Sequence, residues 1–173
     1  ITREAVDGCV EKGIRERPPS RDYRYFGFVD PSGGSSDSMT LAIAHKSGDT
    51  AILDAVREIK PPFSPEAAVS EFASLLRSYR ISQVVGDKYG GEWCREPFSR
   101  LGIFYDPSAR PKSALYRDVL PLINSGACDL LDHERMINQF CSLERRTGRS
   151  GKDSIDHSPG MHDDVANAVA GVL

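Results

Sequence analysis

Acidic residues stand at three separated places where an apolar segment of this chain stops or starts. Asp30 closes the run Tyr25-Phe-Gly-Phe-Val, Asp87 closes Ile81-Ser-Gln-Val-Val-Gly, and the pair Asp163-Asp164 opens the last apolar stretch. A carboxylate at the end of a buried strand is costly unless it is hydrogen-bonded or binds a cation, so each placement needs a reason. If the first two runs are neighbouring strands, Asp30 and Asp87 end side by side at about 5 Å, too close for two bare anions. A divalent ion resolves that conflict. Oxygen-only ligation, with no Cys or His framework, suits Mg2+ or Mn2+ rather than zinc. Two such ions bridged by a shared Asp can activate a water and stabilise the leaving oxygen of a phosphodiester. Each acid also has a plainer role: Asp30 and Asp87 precede turn residues, and Asp163 or Asp164 suits an ordinary helix N-cap.

The elements that must position these acids follow from the local chemistry. Aromatic and β-branched residues from Tyr23 to Val29 predict a strand that Pro31, Gly33 and Gly34 end. Residues 38–46 and 50–59 predict two further strands joined by the turn Ser47-Gly48-Asp49, hence an antiparallel meander. Ser64-Pro65-Glu66 has the composition of a helix start, and Val69, Phe72, Ala73, Leu76 and Tyr79 follow at helical spacing. After the strand ending at Asp87, the pattern predicts a helix over 91–101 compromised by Pro97, a strand over 102–105 and a helix over 112–124. A short extended piece over 127–131 and a helix over 133–145 come next. Residues 146–160 are a polar, basic loop or hairpin with no apolar face, and loops of that length are often functional. The closing helix begins at His162-Asp163-Asp164. This order predicts an α/β fold with a mixed sheet and helices on its faces.

At 173 residues the chain suits one domain, residues 21–173, with a short helix (3–12) and a Pro-Pro linker in residues 1–20 that read as the connector from a preceding domain. No apolar run approaches the roughly 18 residues of a membrane span. Cys9, Cys94, Cys128 and Cys141 lack paired metal spacing and read as reduced thiols of a cytosolic protein. A net charge of -3 argues against a stand-alone nucleic-acid binder but not against a nuclease, whose carboxylates lower the total while local basic patches hold phosphate. The chain contains no Gly-x-x-x-x-Gly-Lys-Ser/Thr phosphate loop.

The segments Val29-Asp-Pro-Ser-Gly-Gly34, Val84-Val-Gly-Asp-Lys-Tyr-Gly-Gly91, Lys112-Ser-Ala-Leu-Tyr116 and His162-Asp-Asp-Val-Ala-Asn-Ala-Val-Ala170 together resemble the nuclease domain of the large terminase subunit of tailed bacteriophages. The resemblance spans residues 23–173. It implies an RNase H-like (RuvC-like) fold whose five strands lie in the order 3-2-1-4-5, the first three antiparallel. It implies a metal-dependent endonuclease that cuts concatemeric viral DNA. Asp30 matches the first-strand acid, Asp87 the fourth-strand acid and Asp164 the acid of the last helix, with Asp163 able to replace it. Asn167 stands where many relatives carry another Asp. The resemblance also implies Mg2+ or Mn2+, two ions, and double-stranded DNA as substrate. An ATPase domain in the same large subunit, the small terminase subunit and the portal would be partners, all in the host cytoplasm and none in a membrane.

Several residues are further candidates. Asp37 follows Asp30 in the polar turn and could hold a metal through water, and His162 could be a ligand or proton carrier; solvation and a surface position are their plainer readings. Lys88, Lys112, Arg145, Arg146, Arg149 and Lys152 could contact the DNA backbone, against the default of solvated cations. A junction-resolvase or transposase-like nuclease would keep the fold and change the substrate. A catalytically inactive DNA-docking module fits the Asn at 167.

Overall fold

The structure, a computed structural model, describes residues 1–88, 92–147 and 153–173. The strands among these are β1 (Val10–Glu11), β2 (Tyr25–Asp30), β3 (Met39–Ser47), β4 (Thr50–Ile59), β5 (Gln83–Gly86), β6 (Phe104–Pro107), β7 (Cys128–Leu131), β8 (Leu143–Thr147) and β9 (Asp153–His157). The helices are α1 (Arg3–Asp7), α2 (Pro65–Ser78), α3 (Arg95–Arg100), α4 (Lys112–Ser125), α5 (Glu134–Ser142) and α6 (Asp164–Val172).

One sheet has the order β1-β7-β4-β3-β2-β5-β6. β2, β3 and β4 form the expected antiparallel meander, and β5 and β6 add in parallel to β2. The segment β4-β3-β2-β5-β6 is therefore the implied 3-2-1-4-5 arrangement. The sheet is not five-stranded, however. β7 pairs in parallel with β4, and β1 with β7, so two short strands cover an edge that would otherwise present unpaired peptide groups.

Both faces of the sheet are buried, which is why β3 is apolar along nearly its whole length rather than alternating. On one face Phe28, Ala42 and Leu53 pack against α4, α5 and α6. On the other, Val29, Leu41, Ile43 and Ala55 pack against Val69, Phe72 and Leu76 of α2 and against Phe98 of α3. The Ser64 side chain accepts a hydrogen bond from the Ala67 N–H, capping α2 as its sequence predicts. Ser64→Ala is expected to lower stability by about 1 kcal/mol in denaturant melts; an unchanged midpoint would remove the cap's role.

Three departures from the sequence-based expectation have identifiable causes. The first helix stops at Asp7, because Cys9 and the following residues join the sheet, where Leu130 N donates to Cys9 O at 2.8 Å. Val6 and Cys9 are buried in the core, so residues 1–20 pack on the domain at least in part. The helix expected to reach residue 145 ends at Ser142, since Leu143–Thr147 pairs with Asp153–His157 as a separate two-stranded ribbon. The four cysteines are free, and burial pushes the Cys94 thiol up to about 12, which leaves it unreactive. Among the described residues no helix is long and apolar enough to cross a membrane.

Candidate metal centre

Parallel pairing of β2 with β5 sets the first two acids beside one another. Val29 lies opposite Gly86, and the Asp87 N–H donates to Val29 O at 3.0 Å, so Asp30 and Asp87 leave adjacent strand ends together. β3 completes the frame by pairing Thr40 with Asp30. Gly34, at φ 84°, turns the chain after Asp30, and a Cβ there would meet Phe63 O at 2.4 Å. This loop is tied to the segment before α2 by the Phe63 N–H, which donates to Gly34 O at 3.2 Å.

The third acidic pair arrives on α6, which lies across β2 and β3 and is buried from Asp164 to Ala170. Asp163 occupies the N-cap position but makes no cap hydrogen bond through its side chain. Instead its Oδ2 accepts from the Tyr116 hydroxyl at 2.7 Å and lies 3.0 Å from Lys112 Nζ. Asp164 is only 9% exposed, and its Oδ2 has no hydrogen-bond partner. One turn into the helix, Asn167 Nδ2 donates to Asp87 Oδ2 at 3.3 Å, and the same side chain hydrogen-bonds Asp30. Its Oδ1 is buried without a partner.

These residues line one cavity of about 600 Å³. Burial, then the charges of Asp164, Asp87 and Asp163, hold the Asp30 carboxyl well above the usual carboxylate range, against the opposing Asn167 hydrogen bond. Burial likewise raises Asp164. Such a cluster of acids with unpartnered buried oxygens on Asp164 and Asn167 fits a hard divalent cation, whose charge removes the repulsion and whose coordination satisfies the orphaned atoms.

Two triads of donor atoms, each within 4.8 Å of one another, flank Asp30 and Asp87 among the described residues: Asp37–His162–Asp164 and Asp156–His157–Asp163. Neither includes Asp30 or Asp87. The second triad already has a cation, because Lys112 Nζ lies 2.9 Å from Asp156 Oδ1 as well as beside Asp163. Burial pulls the Lys112 ammonium down, but Asp156 and Asp163 outweigh it and leave the group above its ordinary value.

The predicted residues thus divide. Asp30, Asp87, Asp163, Asp164, Asp37 and His162 all line the cavity. Lys112 lines it too, engaged by two carboxylates rather than open to a phosphate. Lys88 is exposed one residue beyond Asp87, and Arg145 and Arg146 are exposed on β8, where Arg146 Nη2 donates to His157 O at 3.2 Å. Arg149 and Lys152 lie outside the described residues. Sequence reasoning missed Asp156 and His157, which sat unremarked in the polar segment 146–160. It also missed Arg135, whose Nε lies 2.8 Å from Glu58 Oε1 and whose Nη2 lies 3.9 Å from Asp164 Oδ2.

No protein family's sequence profile matches the chain, and no curated protein matches it. Solved structures do. The large terminase nuclease from thermophilic phage G20c with bound magnesium superposes with a TM-score of 0.81 at 17% identity, over 97% of this chain and 93% of that one. A mutant nuclease domain of the large terminase subunit gp2 of bacterial virus Sf6, with manganese and beta-thujaplicinol, gives 0.73 at 13%, over 99% and 96%. The HK97 bacteriophage large terminase gives 0.74 at 12% over 100% of this chain, which spans 43% of that longer protein. The chain therefore has the RNase H-like fold of phage large-terminase nuclease domains, as its motifs implied.

Proposed function

We propose that this chain is the metal-dependent DNA endonuclease domain of a phage DNA-packaging terminase large subunit, cutting concatemeric viral DNA by two-metal-ion phosphodiester hydrolysis. The observation that carries the reading is the convergence on one cavity of acids from the ends of β2 and β5 and the start of α6, with Asp164 Oδ2 left unpartnered. The bound magnesium and manganese of the G20c and Sf6 nucleases support it. In this reading Asp30, Asp87 and Asp164 hold the ions. When bound, the ions supply Lewis-acid polarisation of the phosphate and a more acidic water. Asp163 is a positioning residue, because Tyr116 and Lys112 already occupy its oxygens and fix the start of α6. Asn167 spaces Asp30 from Asp87 with a neutral donor. Double-stranded DNA is the substrate. Residues 1–20 lead from an ATPase domain, and the small terminase subunit and portal are the further partners in the host cytoplasm.

Asn167 favours one second reading, a DNA-docking module without activity, since an amide rather than a carboxylate meets Asp30 and Asp87. Supercoiled plasmid incubated with the domain separates the two. Nicked or linear product with Mg2+ or Mn2+, and none with chelator, is the expected result; intact plasmid under every metal would overturn the nuclease.

Arg145 and Arg146 are exposed on β8, whose partner β9 lines the cavity, and Lys88 follows Asp87. Arg146→Ala is expected to weaken DNA binding in chelator and to reduce the salt slope of log K by roughly 0.9 for one phosphate contact. A slope equal to that of the wild type would exclude β8 from the contact surface.

A further inference from the structure

We propose that the open end of the sheet, where β2, β5 and β6 present aromatic rings among arginines, is a binding surface for single-stranded nucleic acid. Neither the site nor the ligand belongs to the nuclease reading, which enters only in preferring a nucleic acid to an acidic peptide.

The surface follows from register. Phe28 lies opposite Val85 and Gln83 opposite Phe104, so strand alternation puts Phe26, Phe28, Val85 and Phe104 on one face. This is the face that α4, α5 and α6 cover over β2, β3 and β4, and Phe28 is buried there. The helical layer stops short of the last two strands: Val85 is exposed, as are Phe26 at 48% and Phe104 at 61%. Scattered apolar residues need no account, but rings aligned on one open face mark a contact surface.

A groove of about 770 Å³ runs along this face. It starts at Tyr23, Arg24 and Phe26, where β2 begins, and reaches Ser108 and Arg110 beyond β6. Arg24, Arg80 and Arg110 line it, and no carboxylate is among its described lining residues, in a chain whose net charge is -3. Asp106, opposite Val85 in the register, stands outside the lining, and Asp118 engages Arg110 at 2.8 Å. The Arg24 guanidinium lies 5.4 Å from the centre of the Phe26 ring, joining a planar cation to an aromatic face. Tyr23 is held in place by stacking on His45, with ring centres 4.1 Å apart.

These features select the ligand. Guanidiniums without carboxylates leave a local excess of positive charge, so the occupant is anionic. Rings on an open sheet bind by stacking, so it also presents flat faces. A duplex hides its base faces in its own stack and offers only phosphates, whereas an unpaired strand offers both. An acidic peptide with apolar side chains is the competing occupant. The groove's position decides against it, because Arg110 is followed directly by Pro111 and Lys112, which line the acidic cavity. A strand unpaired at that cavity has this face beside it.

The test measures fluorescence anisotropy in chelator, so that no metal chemistry intervenes. The probes are a labelled oligothymidylate of about 12 nucleotides, within the span of single-strand sites, a blunt duplex of the same length and a polyglutamate peptide. The wild-type chain is expected to bind the oligothymidylate more tightly than the duplex. Phe26→Ala and Phe104→Ala are each expected to weaken that binding roughly 5- to 150-fold, the worth of one stacked base, whereas Phe26→Tyr keeps it. Arg24→Ala is expected to lower the salt slope of log K by roughly 0.7. Circular dichroism melts check that each variant folds. Wild-type affinity in both alanine variants, a preference for the duplex, or Phe26-dependent binding of polyglutamate alone would each overturn the surface. Plasmid cleavage with Mg2+ or Mn2+ is scored separately. A wild type that cuts plasmid but ignores the single strand keeps the nuclease reading and ends this one, and a Phe26-dependent single-strand binder that cuts nothing does the reverse.

Discussion

Asp30→Asn is expected to reduce metal-dependent cleavage by at least about 10²-fold and, in the metal-free protein, to raise the melting temperature. The first effect follows from losing an anionic ligand, when even outer partners of such ligands are worth about 10–100-fold. The second has the opposite sign because Asp30 is costly to ionise where it stands. Burial, and then the charges of Asp164, Asp87 and Asp163, raise its pKa well above 3.8. A group with a raised folded-state pKa takes up protons on folding, so its contribution to stability is full below the unfolded value and is lost as pH rises through the folded one. Above that folded-state value the ionised carboxylate is a burden that the neutral amide lacks. Mg2+ at about 100 times its dissociation constant should stabilise the wild type by about 2.7 kcal/mol. That is a rise on the order of 5–10 °C for a chain of this size. Melting with and without Mg2+ measures both. A variant that is less stable than the wild type without metal, or that keeps its cleavage rate, would show that Asp30 serves only the turn.

Gly86→Ala is expected to destabilise the domain by about 1–3 kcal/mol or more and to impair cleavage with it. A Cβ at this position would lie 1.9 Å from the Tyr105 hydroxyl and 2.4 Å from Cζ of the same ring. Tyr105 is 2% exposed and stacks on Phe98 with ring centroids 5.6 Å apart, so the ring cannot swing away. Relief has to come from β5, and β5 delivers Asp87 in the next residue. Denaturant melts and plasmid cleavage would therefore fall together. Full stability with full activity would mean that the sheet absorbs the methyl without moving the acid.

Much of the frame was legible because it is written in local chemistry. The strand ending at Asp30 is cut by Pro and Gly, and α2 announces itself by Ser64, Pro65 and a helical stripe of Val69, Phe72 and Leu76. Fully buried strands such as β3 show as continuous apolar runs. The edge strand β1 and the ribbon strand β8 were not legible. Val10–Glu11 has no pattern of its own, and it pairs because Leu130 and Leu131 lie beside it in space. Residues 143–145 of β8 were taken for the end of a helix because Leu143-Glu-Arg145 tolerates either state, and the partner β9 decided the matter.

The same division runs through the site. The sequence by itself determined which carboxylates stand at element boundaries, since a change from apolar run to turn or helix start is a property of neighbouring residues. Only the tertiary structure decided what each carboxylate meets. Asp163 and Asp164 are adjacent and chemically identical, yet Tyr116 and Lys112 take up the first while the Oδ2 of the second stays unpartnered. Asp163 is the N-cap, at φ -137° and ψ 15°, while Asp164 is the first helical residue, so these neighbours in sequence face different surroundings. Those surroundings are supplied by α4, some fifty residues earlier in the chain, and no local pattern records them.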